Sequence, residues 1–245
     1  MIAQLRAELL KQRSTRTDLG LLAGLLGLIL LAVLLHGFGL PAQDLGQRNN
    51  QLTVFGRGEF LGALFAALLG AMSITAEIRH GTIRPTFLAS PRRGRIIAAK
   101  LAVSALIGAG FGLAGSALAA GIGTAALRRR GIEIELDGGD YALLVAGGAG
   151  AAALWAAIGV GVGALVRGQV PTAVGLSAWL LFVEGLLGEN VSDVGRFAPG
   201  ALGMAASGQE PGALLAPAVG ILLLAVYAIV AAAAGWAATI RRDVV

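Results

Sequence analysis

Apolar and polar positions fall in long blocks along this chain, without the short alternation of a surface strand. Charged segments separate six runs that carry almost no charge, at about 19–40, 60–76, 101–127, 141–166, 170–187 and 213–240. A membrane-spanning helix needs about 17–25 apolar residues, a length that the fifth run reaches only by including Glu184. The pattern predicts six transmembrane helices in a single domain that covers residues 1–245.

The segment before the first run, residues 1–18, is basic and weakly amphipathic. Its cations are Arg6, Lys11, Arg13 and Arg16. Ile2, Leu5 and Leu9 fall on one face of a helix. Two interpretations stay open: an N-terminal interfacial helix that lies on the inner membrane surface, or a basic flank that orients the first span.

Composition agrees with the membrane interpretation and sets the fold class. The chain is 56% hydrophobic and only 13% charged, whereas an average soluble domain carries about 25% charged residues. Its 38 glycines lie largely inside the apolar runs, where small residues let helices pack closely. We therefore expect an all-α integral membrane protein. The absence of cysteine excludes disulfides, thiolate metal sites and cysteine nucleophiles.

The distribution of positive charge predicts the orientation of the spans. All but six of the 19 Lys and Arg residues lie on the side that holds both termini and the segment 77–100. The exceptions are Arg48, Arg57, Arg128, Arg129, Arg130 and Arg196. The positive-inside rule then places both termini in the cytoplasm of a multi-pass protein in the plasma (inner) membrane, and it accounts for the basic net charge without nucleic acid.

The run of three arginines at 128–130 conflicts with this orientation. Acidic residues that follow it offset part of the charge, namely Glu133, Glu135, Asp137 and Asp140. We expect the outer side to tolerate the run for that reason.

The segment 77–100 is predicted to form a helix, a break and a second helix. Thr82 is a candidate N-cap for a short cytoplasmic helix over Ile83–Ala89, in which Ile83 and Phe87 share one face. Pro91 ends this helix, because the residue before a proline avoids the helical region, and starts the next one.

Two features lie near the opposite side of the membrane. The apolar segment 196–212 is too short to span twice, and it forms either a re-entrant hairpin or an ordered outer loop. Glu184 lies in the outer part of the fifth span. It is either a substrate-path or gating group, or a structural partner of an arginine such as Arg196.

Three stretches resemble one known family. In the segment 77–100 the matching residues are Glu77, Gly81, Thr82, Ile83, Leu88, Pro91, Arg93 and Lys100. The others are the opening RAELLKQRSTR (6–16) and WLLFVEGLL (179–187) followed by RFAPG (196–200). Together they resemble the permease subunits of ABC transporters in the type-2 exporter class, especially the small actinobacterial ones. Pro85 departs from the basic or polar residue of that family.

This resemblance implies a function. The segment after the second span would be the coupling helix, on which a separate ABC ATPase subunit docks. Contacts with the ATPase would come from Ile83, Arg84, Phe87 and Leu88, with Glu77, Arg79 and Thr82 beside them. The N-terminal segment would be a connecting helix that also touches the ATPase. The expected activity is export by alternating access through a transmembrane path between two such permeases, either two copies or one copy with a similar subunit.

The sequence has no GxxxxGK[ST] phosphate-binding loop, so ATP and Mg²⁺ would bind to the partner ATPase. We expect this chain to be no enzyme itself, to hold no cofactor and no metal, and to contact membrane lipid. Its two histidines, His36 and His80, stand apart from other metal-ligating residues.

Two other classes of function compete with transport. An intramembrane protease needs paired carboxylates or a Ser–His pair within the bilayer, and the predicted spans offer only Glu184. A non-transporting membrane scaffold or accessory protein would have the same spans without an ATPase partner.

Overall fold

The computed structural model describes residues 2–82, 93–209 and 214–241, with the backbone alone for Arg13, Ser14, Arg93, Glu189 and Ser192. Regular structure in these ranges is entirely helical, as the sequence predicts. In chain order the helices are α1 (Ile2–Ser14), α2 (Arg16–Gly39), α3 (Ala42–Leu45), α4 (Arg48–Arg79), α5 (Arg93–Arg129), α6 (Gly138–Val166), α7 (Gln169–Ala178), a π-helical turn (Trp179–Val183), α8 (Glu184–Asn190), α9 (Ser192–Gly195), α10 (Pro199–Ala206) and α11 (Pro217–Arg241).

Six of these helical segments are long and apolar enough to cross a membrane, which agrees with the predicted number of spans. They are Arg16–Gly39, Arg48–Arg79, Gly94–Arg129, Gly138–Val166, Gln169–Gly188 and Pro217–Arg241. The second segment is much longer than its predicted span of 60–76. It has 32 residues, or about 48 Å at 1.5 Å per residue. Arg57 and Glu59, which the sequence pattern assigned to an outer loop, therefore lie inside helix α4.

The helices α4, α5 and α6 form the centre of the bundle. Between 50% and 56% of the residues in their most apolar windows are buried, against 17% to 22% for α2, the α7–α8 segment and α11. The buried core includes Leu25, Phe55, Leu69 and Trp155. The outer faces of the peripheral helices carry exposed leucine, valine and isoleucine side chains, as expected of surfaces that contact lipid.

Glycine permits the close approach of the central helices. A Cβ atom on Gly159 of α6 would overlap the backbone carbonyl of Ala67 on α4, and one on Gly70 would overlap that of Ala156 in return. On α5, a Cβ atom on Gly112 would overlap the carbonyl of Gly148 on α6. Small residues at such contacts let helix backbones approach each other directly, which is how membrane helices gain packing energy.

Contacts between connecting segments define two ends of the bundle. At the end that holds α1, Arg79 donates a hydrogen bond to Gln169 Oε1 at 3.0 Å. We call this the α1 end. At the opposite end, the far end, the Gln51 side chain donates to the carbonyl oxygens of Leu45 and Glu133 at 2.9 and 2.8 Å. It thereby ties α4 to the α2–α4 connection and to the α5–α6 connection.

One arginine of the run at 128–130 has a structural role at the far end. The Arg130 guanidinium donates to the carbonyl oxygens of Gly37 and Leu40 at 2.6 and 2.8 Å, so it caps the C-terminus of α2. Asp140, expected to offset the run, instead pairs with Arg48 at 2.6 Å. Asp140 also forms a capping box with Asp137 at the start of α6.

Candidate functional site

Two lysines and two glutamates form a compact ionic group at the α1 end, which we call the basal cluster (Glu8, Lys11, Glu77 and Lys100). Lys100 Nζ donates to Glu8 Oε2 at 2.8 Å and to Glu77 Oε1 at 2.7 Å. Its third hydrogen bond goes to the carbonyl oxygen of Ser73 at 3.0 Å. Lys11 Nζ contacts Glu8 Oε1 at 3.0 Å and Glu77 Oε1 at 2.9 Å. The two positive and two negative charges of the cluster balance.

The basal cluster joins α1 to α4 and α5, the helices on either side of residues 83–92. The Lys100 side chain is only 2% exposed, so its three hydrogen bonds replace water completely. Burial lowers the pKa of Lys11, but its hydrogen bonds and charge interactions with Glu77 and Glu8 outweigh that effect and raise the pKa above 10.5. The contribution of Lys11 to stability is therefore fully present at neutral pH and is lost only as the pH rises through that raised value.

The most buried residues of α1 are polar, whereas Leu5 and Leu9 of the predicted apolar face are partly buried. Ile2 is 70% exposed, whereas Glu8 and Gln12 are buried. Gln12 Nε2 reaches Ser104 Oγ on α5 at 3.4 Å. Polar contacts to α4 and α5 thus orient α1, because Glu8 and Gln12 find their partners on that side. Arg6 and Arg16 are exposed, and the side chain of Arg13 is outside the description.

Most of the predicted ATPase contacts, Ile83, Arg84, Phe87 and Leu88, lie outside the described residues, as does the short helix 83–89. The neighbouring Glu77 is part of the basal cluster. Thr82, predicted to cap that short helix, donates its backbone N–H to the carbonyl oxygen of Glu77 at 3.0 Å. With the Gly81 N–H on the carbonyl oxygen of Ile78 and Gly81 in the left-handed region, this bond forms a Schellman motif that ends α4.

A second candidate site is a cavity of about 570 Å³ near the far end, which we call the far-end cavity. Helix α4, the fifth span, residues 195–209 and Leu214 line it. Its polar and charged lining residues are Thr53, Arg57, Glu184, Arg196 and Gln209. The apolar part includes Phe60, Leu180, Leu181, Met204 and Leu214. This volume lies within the range of about 300–1,000 Å³ that is usual for small-molecule sites.

Glu184 lines this cavity and also supports α10. Its carboxylate accepts the backbone N–H groups of Gly200 and Ala201, which belong to the first turn of α10 and have no partner within that helix. Trp179 Nε1 donates to Glu184 Oε1 at 2.6 Å. No ion pair joins Glu184 to Arg196 in the described part of the chain, so the structural partners of Glu184 are an indole and a helix N-terminus.

The π-helical turn makes the contact between Trp179 and Glu184 possible. Residues five apart in an α-helix differ by about 140° in direction. In the π-helical turn the backbone N–H of Glu184 bonds to the carbonyl oxygen of Trp179, five residues earlier. This wider turn brings the two side chains to the same face, a local change common at functional sites.

Glu59 is a second carboxylate within the membrane helices, and sequence reasoning missed it. It is 2% exposed and accepts a hydrogen bond from Gln209 Nε2 at 3.3 Å. Gly203 of α10 packs directly against its carboxylate. The expectation that the spans offer only Glu184 is therefore wrong. The apolar pattern gave no signal for it, because the charged pair Arg57 and Glu59 interrupts the apolar run.

The segment 196–212 is helical in part. Helix α10 packs against α4, α6 and α11, and Leu202 is fully buried. Gly147 of α6 and Gly220 of α11 allow the backbone of α10 to come close. The Gln209 side chain, just after this helix, donates to Glu59 and to Ser207 Oγ. A short helix thus enters the bundle beside the cavity.

The two histidines and two of the tryptophans lie outside both candidate sites. His36 Nδ1 lies 2.8 Å from the carbonyl oxygen of Ala32, and His80 Nδ1 makes the same contact with Ala76. Trp155 is buried in the core and Trp236 is half exposed. Among the described residues no group of three His, Asp or Glu side chains is placed to hold a metal ion.

No family model matches the sequence, and no curated protein is significantly similar to it.

Proposed function

We propose that this chain is the membrane-spanning permease subunit of an ABC exporter, powered by a separate ATPase subunit that docks on residues 77–100. The proposal starts from the resemblance of three segments to type-2 exporter permeases. Six helices able to span a membrane supply the architecture that such a subunit needs. Both termini and the segment 77–100 face the cytoplasm in this proposal, and α1 is the interfacial connecting helix.

The observation that carries the proposal is the basal cluster. A permease driven from outside the membrane needs rigid contacts that transmit movement from the docking segment to the spans. Lys100 and Glu77 lie on the helices that enter and leave residues 83–92, and Glu8 and Lys11 fasten α1 to both. Movement of the docked segment would therefore carry α1, α4 and α5 together.

Helix α10 contributes to the same proposal at the other side of the membrane. It enters the bundle as a short, buried helix, and Glu184 holds its N-terminus. We assign it as a re-entrant element that closes the outer end of the transport path. An irregular backbone is tolerated at such depth only where protein or a water-filled cavity surrounds it, and the far-end cavity meets that condition.

Photo-crosslinking at position 87 tests docking. Phe87 is replaced by a benzophenone-bearing amino acid in the native host, and the same replacement at Phe197, 41% exposed near the far end, is the matched control. Illumination is expected to link position 87, and not position 197, to a polypeptide whose sequence contains GxxxxGK[ST]. If the folded position-87 variant is isolated from membranes without a crosslink to any such polypeptide, the non-transporting scaffold is favoured.

A further inference from the structure

The described residues that line the far-end cavity include more cations than carboxylates. They hold two arginines, Arg57 and Arg196, and one carboxylate, that of Glu184. That carboxylate already accepts hydrogen bonds from Trp179 and from the first turn of α10. Neither arginine forms an ion pair with a carboxylate in the described part of the chain.

The two guanidinium groups also have unused donors. The Nε atoms of Arg57 and Arg196 are buried and have no hydrogen-bond partner among the residues that the structure describes. Arg57 Nη2 lies 3.4 Å from His36 Nε2, which is free to accept when Nδ1–H donates to Ala32. A buried donor without a partner costs free energy, and an arginine within a membrane helix usually marks a site of function.

The chemistry of the guanidinium group limits the class of ligand that the cavity can bind. Its planar array of N–H donors matches the paired oxygens of phosphate and carboxylate groups. Most of the cavity wall is apolar, with Phe60, Leu180 and Met204 among its side chains. An inorganic anion would fill the charged part and leave the apolar wall unused.

We propose that the far-end cavity binds an amphipathic anion, whose phosphate or carboxylate headgroup lies on Arg57 and Arg196 and whose apolar body lies against the wall formed by Phe60, Leu180 and Met204. The headgroup supplies acceptors for the buried Nε–H groups. Binding itself does not depend on an ATPase. Only the assignment of this anion as the exported substrate rests on the function proposed above.

The test measures binding to the purified full-length protein in a non-ionic detergent, without an ATPase subunit. The probe is dodecyl phosphate, and dodecanol and inorganic phosphate are the arms that lack either the charge or the tail. Thermal unfolding followed over a range of probe concentrations gives an apparent Kd for each compound. Dodecyl phosphate is expected to raise the midpoint of unfolding, and the other two are expected to have little effect at the same concentration.

Two sets of variants, three at arginines and two at glycines, locate the site. Arg57→Gln and Arg196→Gln each remove a charged donor, and we expect each to raise the Kd of dodecyl phosphate about tenfold or more. Arg128→Gln, which removes an exposed arginine at the far end, should leave it unchanged. Gly185→Leu introduces a side chain at a lining position where a Cβ atom meets nothing within 4 Å, and it is expected to block the cavity. Gly175→Leu, equally unobstructed but outside the lining, is its control.

The outcomes are distinct. Equal stabilisation by dodecanol would show that the ligand needs no anionic headgroup. Equal stabilisation by inorganic phosphate would show that it needs no apolar body. Either result would overturn the proposal. If an arginine variant fails to fold, the glycine pair decides, since Gly185→Leu affects no buried polar group. Unchanged affinity in Gly185→Leu would place binding elsewhere. None of these results depends on whether position 87 meets an ATPase.

Discussion

Lys100 is the residue on which the basal cluster depends, since both carboxylates and the Ser73 carbonyl share its ammonium group. Replacing it with methionine would leave Glu8 and Glu77 facing each other, with Lys11 alone to balance them. Removal of one partner from a buried ionic group costs about 3–5 kcal/mol. We expect Lys100→Met to lower the free energy of unfolding by about that much, measured by denaturation in mixed micelles.

Arg95→Met is the matched control, because Arg95 is an exposed cation five residues earlier on the same helix. Its effect should be below about 1 kcal/mol. Adding Glu8→Gln to the methionine variant should recover part of the loss, since Lys11 then balances the one remaining carboxylate, that of Glu77. Similar losses in the Lys100 and Arg95 variants would show that the cluster does not hold α1 in place.

At this scale the sequence predicts the residues of one site better than those of the other. Glu77 and Lys100 stand out because they flank a charged segment between two apolar runs. Glu59 does not, because a charged pair such as Arg57 and Glu59 ends an apolar run in any sequence-based reading. Only the fold shows that Gln209, 150 residues later, reaches this carboxylate inside the bundle.

Helices α4 and α6 form the tightest pair of elements, and their contact tests how the bundle is held together. Gly159→Val would place a side chain against the backbone of Ala67 and Ala71, which cannot move independently of α4. Overpacking of this kind costs about 1–3 kcal/mol or more. We expect a matching loss in the free energy of unfolding.

Gly110→Ala on α5 serves as the comparison, since a Cβ atom there meets no neighbour within 4 Å. It should be neutral or slightly stabilising, because alanine favours a helix by up to about 1 kcal/mol over glycine. If both variants were equally well tolerated, direct backbone contact between α4 and α6 would not matter for stability.

Helix number was predictable, and helix length was not. Six apolar runs predict six helices because each run, the fifth with Glu184 included, reaches the length of a span. The true extent of α4, from Arg48 to Arg79, depends on tertiary partners such as Gln51, which binds the connections at the far end. Such contacts stabilise a polar helical turn that composition alone assigns to a loop.

For the whole molecule, the orientation in the membrane is the first property to test. The sequence has no cysteine, so a maleimide can react only with a cysteine that is introduced. Single cysteines replace Thr82 at the α1 end and Glu133 at the far end, both of which are exposed. A membrane-impermeant maleimide is expected to label position 133 in intact cells, and position 82 only after permeabilisation. The reverse pattern would invert the proposed orientation and move the docking segment outside the cell.

Helix α4 connects the two candidate sites, because it contributes residues to both. Glu77 of the basal cluster and Arg57 of the far-end cavity are 20 residues apart on this helix, or about 30 Å. Glycine contacts with α6 and α5 hold the helix along the way. A rigid, tightly packed helix is the kind of element that transmits displacement between distant sites.

The π-helical turn at Trp179–Val183 also affects how substitutions in the fifth span should be compared. A helical wheel drawn through Gln169–Gly188 with one constant angle assumes a single phase. The extra residue in this turn breaks that phase, so positions after Val183 are rotated by about 100° from where the wheel puts them. Two wheels, one ending at Ala178 and one starting at Glu184, are needed to sort lipid-facing from cavity-facing positions in any mutational scan of this span.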